Sequence, residues 1–137
     1  SSLAPSPDGA AATPRRILVV DDDDDTADIL RRLLRRAGYD VLVAHDVAEA
    51  QECLGRGGVD GLVTDLDLPD GHGHGLLAAG RPPGLRVAVV LSGFHRPDDK
   101  ERSLGAGFDA HLVKPVDPKA LVRLLGDVLA RGQEPRP

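Results

Sequence analysis

The stretch ILVVDDDDDTADILRRLLRRAGYDVLVA, Ile17 to Ala44, is where the fold is decided. Ile17-Leu-Val-Val20 is a short aliphatic run of strand length. Ala27 to Ala37 then places Ile29, Leu30, Leu33, Leu34 and Ala37 at helical spacing, and Val41 to Ala44 is apolar and short again. Strand, helix, strand is the order these spacings predict.

The alternation continues outward. Asp46-Val-Ala-Glu49 is a capping box that opens a helix through about Leu54, and Gly61-Leu-Val-Thr64 leads into Asp65 as the next strand. A weak helix carries Leu76 and Leu77, Arg86 to Leu91 is a continuous apolar strand, and Pro97 to Leu104 reads as a polar helix. Ala110 to Val113 is the last strand. After it, Asp117 caps a helix with Pro118 at its first position and Leu121, Leu124, Leu125, Val128 and Leu129 on one face. Five βα units with uninterrupted apolar strands predict a parallel sheet covered on both faces, a doubly wound α/β layer sandwich.

The chain has 137 residues, and one domain is the natural count. Residues 1–15, small and Pro-bearing, read as a flexible linker, residues 16–131 as the folded domain, and 132–137 as a disordered tail. With no Met anywhere, the sequence reads as a segment of something longer or as a processed start. A net charge of −5 and the near absence of aromatic residues argue against a nucleic-acid partner, which needs cationic neutralisation of phosphates or stacking platforms. The single Cys53 forms no internal disulfide, no apolar stretch reaches the length of a membrane span, and no secretory h-region is visible. A reducing cytoplasm and no membrane contact are therefore expected.

In doubly wound sheets the ligand site lies beyond the carboxyl ends of the strands. Here those ends carry Asp21-Asp22, Asp65, Ser92-Gly93 and Lys114-Pro115. Asp24 and Asp25 read as acids suited to the start of the following helix. Asp21, Asp22 and Asp65 are different, since clustered carboxylates repel unless a cation or protons compensate. Hard oxygen ligands suit Mg²⁺, with Mn²⁺ as a substitute, rather than Zn²⁺. Lys114 adds a fixed positive charge and Ser92 a hydroxyl, an arrangement fit to stabilise a transferring phosphoryl group, with Asp65 as the candidate nucleophile.

The strings ILVVDDDD (Ile17 to Asp24), GLVTDLDLPDG (Gly61 to Gly71), VVLSGF (Val89 to Phe94) and AGFDAHLVKPVDP (Ala106 to Pro118) resemble the receiver domain of two-component response regulators. The likeness runs from about Arg16 to Ala130, with all four motifs in the family's order. It implies a flavodoxin-like (βα)5 fold with a five-stranded parallel sheet in the order 2-1-3-4-5 and helices on both faces. It implies that Asp65 is the phosphoacceptor, that Asp22 and Asp65 bind Mg²⁺ with Asp21 in support, and that Asp67 lends its backbone carbonyl. Ser92 corresponds to the hydroxyl residue that bonds the phosphoryl group and moves inward on activation, and Lys114 to the phosphate-pairing lysine. Pro115 is expected to follow a cis peptide bond. The expected partner is a histidine kinase or a histidine phosphotransfer domain. The ending is most similar to receivers attached to hybrid sensor histidine kinases, so the kinase core of the same polypeptide is a candidate partner. The resemblance implies no stand-alone enzyme, only promotion of the domain's own aspartyl phosphorylation and dephosphorylation.

One departure concerns the switch. Where the family commonly has Tyr or Phe, three residues before the lysine, this chain has His111, readable as a pH-sensitive or weak switch or as a half-buried histidine with no signalling role. His72 and His74, separated by glycines, read as part of a flexible turn rather than a metal site. Arg31, Arg32, Arg35 and Arg36 read as a solvated helix face or as a docking surface for the phosphodonor. Two other functions compete. A degenerate receiver would act by contact alone. A haloacid-dehalogenase-like phosphatase would use Asp65-Leu66-Asp67, but that motif belongs after a first strand and with a substrate cap, whereas here it follows the third strand and no cap is read.

Overall fold

The computed structural model describes residues 14–93 and 99–133. Five strands form one sheet: β1 (Arg16–Val20), β2 (Asp40–Ala44), β3 (Gly61–Asp65), β4 (Val87–Ser92) and β5 (Ala110–Val113). Their order is β2-β1-β3-β4-β5 and every pairing is parallel, so the flavodoxin-like topology is the observed one. The helices are α1 (Asp24–Arg36), α2 (Val47–Arg56), α3 (Asp99–Gly105) and α4 (Pro118–Gln133).

Alternation along the strands sorts the core into two layers. Ile17, Val19, Val63, Val87, Val89 and Leu91 point to the face covered by Leu30 and Leu34 of α1 and Leu121, Leu125 and Leu129 of α4. Leu18, Val20, Leu62, Ala88 and Val90 point to the opposite face, against Ala50 and Leu54 of α2 and Leu76, Leu77 and Phe108. Each fully buried Leu or Val contributes about 1.5–3 kcal/mol relative to exposure, enough for a core with so few rings. Gly61 lets β3 sit tightly in the middle of the sheet, because a Cβ there would lie 2.6 Å from Ile17 Cδ1 and 2.9 Å from Val87 Cγ1.

Local signals act as their chemistry predicts at three helix starts. Asp46 accepts from the Glu49 N–H at 2.8 Å, while the Glu49 carboxylate reaches back to the N–H of His45 rather than that of Asp46. Asp117 accepts from the Lys119 N–H at the start of α4. At α1, Asp23 instead receives the Thr26 hydroxyl, and Asp24 and Asp25 fill the first turn.

The expected weak helix around Leu76 and Leu77 is a five-residue 3₁₀ segment, Gly73–Leu77. Gly71, Gly73 and Gly75 supply too little helical bias to sustain α-turns, and the backbone tightens instead. Nor is the DGHGHG stretch a simple flexible turn: Gly71–His72 pairs antiparallel with Asp67–Leu68, directly after the end of β3. Of the expected helix Pro97–Leu104, residues 97 and 98 lie outside the described residues, as does nearly all of the expected linker and the end of the expected tail. Among the described residues no helix is long and apolar enough to cross a membrane.

Candidate functional site

The rim at the carboxyl ends of β1, β3, β4 and β5 gathers the chemistry, on either side of the point where the winding reverses. Asp21 leaves β1 while still held by the ladder, its N–H donating to the Ala44 carbonyl at 3.0 Å. Its side chain is only 2% exposed. Oδ1 accepts the Asp23 N–H at 2.9 Å and Oδ2 faces Lys114 Nζ at 3.2 Å. Asp22, one residue on, is exposed. Asp65 ends β3 with its side chain 13% exposed and Oδ2 3.4 Å from Lys114 Nζ.

One carboxylate oxygen from each of Asp21, Asp22 and Asp65 lies within 4.8 Å of the others. Three carboxylates against one ammonium leave the cluster two charges short of neutral, and the donor set is oxygen alone. Such a site fits a divalent hard cation such as Mg²⁺. The electrostatics agree. Burial pushes the Asp65 carboxyl above its ordinary range, Lys114 opposes that shift and the charge of Asp21 adds to it. Burial alone would lower the Lys114 ammonium, but Asp21 and Asp65 more than offset it and hold the lysine above its ordinary value.

The remaining rim residues fall around this cluster. Ser92 closes β4, 1% exposed, and its carbonyl accepts the Lys114 N–H at 2.7 Å. The Lys114–Pro115 peptide is cis. Asp67 has an exposed side chain, 3.5 Å from His72 Nδ1. His111 is not half-buried: it is 9% exposed, with its ring on the opposite face from the Ala110 and Leu112 side chains. Beside the cluster lies an apolar cleft of about 420 Å³, bounded by Thr26, Ile29 and Leu30 of α1 and by Pro115 and Val116. Ile29, at its edge, is 64% exposed.

Sequence reasoning did not find two supports of the loop that follows Asp65. Asp70 accepts from the N–H groups of Val47 and Ala48 at 2.7 and 3.0 Å, so the loop after β3 caps α2 from outside its own helix. Gly73 packs directly on the Asp65 carbonyl, where a Cβ would collide with the oxygen, and its N–H donates to Leu66 O at 2.7 Å. The Pro-Asp-Gly sequence at 69–71 signals a turn but not its distant partner.

The family model of the response regulator receiver domain matches residues 17–126. An uncharacterized 14.6 kDa protein of Leptolyngbya boryana is 41% identical over 103 residues, 73% of this chain and 79% of that protein. The aerobic respiration control protein ArcA of Escherichia coli is 30% identical over 77% of this chain. The chain spans only 44% of ArcA and 45% of the swarming motility regulation protein RssB of Serratia marcescens. Among solved structures, a CheY-like receiver domain protein of Methanospirillum hungatei superposes with a TM-score of 0.80 at 30% identity, covering 87% of this chain and 96% of that one. A receiver domain from Francisella gives 0.79 at 27% identity, covering 87% and 99%.

Proposed function

Because the chain belongs to the response regulator receiver domain family, we propose that Asp65 accepts a phosphoryl group from a phosphohistidine and that the domain changes conformation in response. The observation that carries this reading is the convergence of Asp21, Asp22 and Asp65 within 4.8 Å, with the Lys114 ammonium against two of them. In the transfer, an Asp65 carboxylate oxygen forms a bond to phosphorus as the bond from phosphorus to the donor imidazole breaks; the leaving ring nitrogen keeps that electron pair, and the proton on the other ring nitrogen lets the imidazole depart neutral. Lys114 offsets charge on the equatorial oxygens, and the Ser92 hydroxyl would bond one of them. Mg²⁺, held by Asp22, Asp65 and the Asp67 carbonyl with Asp21 in support, would neutralise the remaining charge; Mn²⁺ has similar ligand preferences.

The partner is a histidine kinase or phosphotransfer domain, and the cleft beside Ile29 and Pro115 is its docking place. Arg32, Arg35 and Arg36 on the exposed side of α1 suit an acid-bearing partner helix. The domain works in the cytoplasm, as the folded module between a linker and a tail. Incubation with Mg²⁺ and acetyl phosphate, followed by intact-mass measurement, tests the reading. A single phosphate adduct is expected on the wild type and none on Asp65→Asn. An adduct that survives the substitution, or none on the wild type by mass and no beryllofluoride complex by NMR, refutes it.

A further inference from the structure

His111, Ser103 and His74 stand in a line that no local motif announces. Ser103 of α3 is 0% exposed. Its Oγ lies 2.7 Å from Nδ1 of His111 on β5 and 2.8 Å from Nε2 of His74 in the 3₁₀ segment. One hydroxyl therefore joins three elements: a sheet strand, a helix and the segment that follows the acceptor loop. The His74 ring also leans on Phe108, with centroids 6.0 Å apart and planes tilted by 53°.

Donor accounting fixes the direction of the line. A hydroxyl has one proton to give, so with two ring nitrogens in reach it donates to one and accepts from the other. Among the described residues, His111 Nε2 is buried without a hydrogen-bond partner. If that nitrogen carried the proton, a buried N–H would be orphaned, which is rarer and costlier than a lone pair left unused. The proton is therefore on Nδ1. His111 Nδ1–H donates to Ser103 Oγ, and Ser103 Oγ–H donates to His74 Nε2.

Both ends of the line are tied to the acceptor pocket. His74 follows Gly73, which packs on the Asp65 carbonyl and bonds Leu66 O. His111 lies three residues before Lys114 on the same chain segment, and Lys114 Nζ faces Asp65 at 3.4 Å. Acceptor loop, 3₁₀ segment, α3, β5 and lysine thus form a closed ring of contacts through Asp65.

We propose that His74, Ser103 and His111 form an ordered hydrogen-bond latch that positions the His111 ring and joins α3 to the acceptor loop, so that a change at Asp65 is felt at α3 through Ser103. The coupling to Asp65 rests on the receiver reading above; the latch itself does not. His74 and Ser103 are positioning residues. Any bias the phosphoryl group places on the latch must be returned by the latch to the pocket, because coupling between two sites is reciprocal.

The experiment is ¹⁵N and proton NMR of the whole chain, first alone and then with Mg²⁺ and beryllofluoride. Alone, His111 is expected as the Nδ1–H tautomer, His74 with a bare Nε2, and Ser103 with a slowly exchanging hydroxyl proton. The opposite tautomer or free averaging at His111 overturns the latch. On adding beryllofluoride, the Asp65 amide and the amides of residues 101–105 are expected to shift together. In Ser103→Ala the Asp65 shift should persist while the α3 shift is lost.

His74→Gln keeps a polar atom near the Nε2 position and should retain the α3 response, whereas His74→Leu should lose it. His111→Asn and His111→Leu divide the same way at Nδ1. An α3 response that survives Ser103→Ala, or that Gln and Asn fail to preserve, overturns the coupling. No response at Asp65 itself overturns the receiver reading and the coupling with it, leaving the tautomer result to judge the latch alone.

Discussion

Lys114→Met takes the ammonium away from a cluster of three carboxylates, two of which it faces at 3.2 and 3.4 Å. At an effective dielectric constant of about 20, one such pair at 3.2 Å is attracted by roughly 5 kcal/mol before hydration is counted. The lysine, 27% exposed, gives up part of its hydration to be there, so the net loss lies nearer the ~3 kcal/mol typical of removing one partner from a buried pair. A ceiling also applies, because a carboxylate in the cluster can take up a proton. For a reference carboxyl that costs about 4 kcal/mol at pH 7 but only about 1.4 kcal/mol at pH 5. Lys114 is what restrains the upward push of burial on Asp65, so its removal raises that carboxyl further. A group whose folded pKa is raised gives stability below its unfolded value and loses it as pH climbs through the folded one. The deficit of the variant should therefore grow with pH, from at most about 1.4 kcal/mol at pH 5 to about 3 kcal/mol at pH 7. Urea denaturation of both proteins in EDTA at the two pH values measures it. Equal deficits, or one below about 1 kcal/mol at pH 7, would refute the claim that Lys114 balances the cluster.

The same sign governs Asp65→Asn, which should stabilise the metal-free domain at pH 7 by roughly 1 kcal/mol, a typical size for one substitution. That advantage should vanish as pH falls to 4, as read from thermal melts. Asp22→Ala should weaken Mg²⁺ binding at least tenfold by titration, because on the proposed reading it removes one oxygen ligand from a site with few protein ligands. Asp70→Ala should speed amide exchange at Val47 and Ala48 and lower the melting temperature. The Val47 and Ala48 N–H groups hold the Asp70 carboxyl below its ordinary range, so this contribution is present at neutral pH and lost as pH falls through that lowered value.

Much of this molecule is legible from strand-length apolar runs. Ile17–Val20 and Val87–Leu91 are apolar on both faces, which only a covered parallel sheet tolerates, and strand ends name the site because topology brings them to one rim. The 3₁₀ segment at Gly73–Leu77 resisted reading because its apolar pair is too short to set a period and its glycines favour no helix. Ser103 and His74 carry no signal of their own. Their roles depend on His111 meeting α3 across a fold that periodicity does not specify in detail. Asp70 hides for the same reason, its partners being 22 and 23 residues away.

The strand order has a consequence for how the chain is made. Lys114 is synthesised 49 residues after Asp65, and Leu121, Leu125 and Leu129, which share with α1 the covering of one side of the sheet, come later still. While the chain emerges from the ribosome, Asp21, Asp22 and Asp65 are all present before their balancing charge exists, and Val63, Val87 and Val89 wait in water for α4. Cutting the chain in the exposed stretch between the 3₁₀ segment and β4 would therefore yield one piece with Asp65 and another with the lysine. On the proposed receiver reading neither piece would take up phosphate alone, and recovery of phosphorylation on mixing would report that the two halves had closed their shared core.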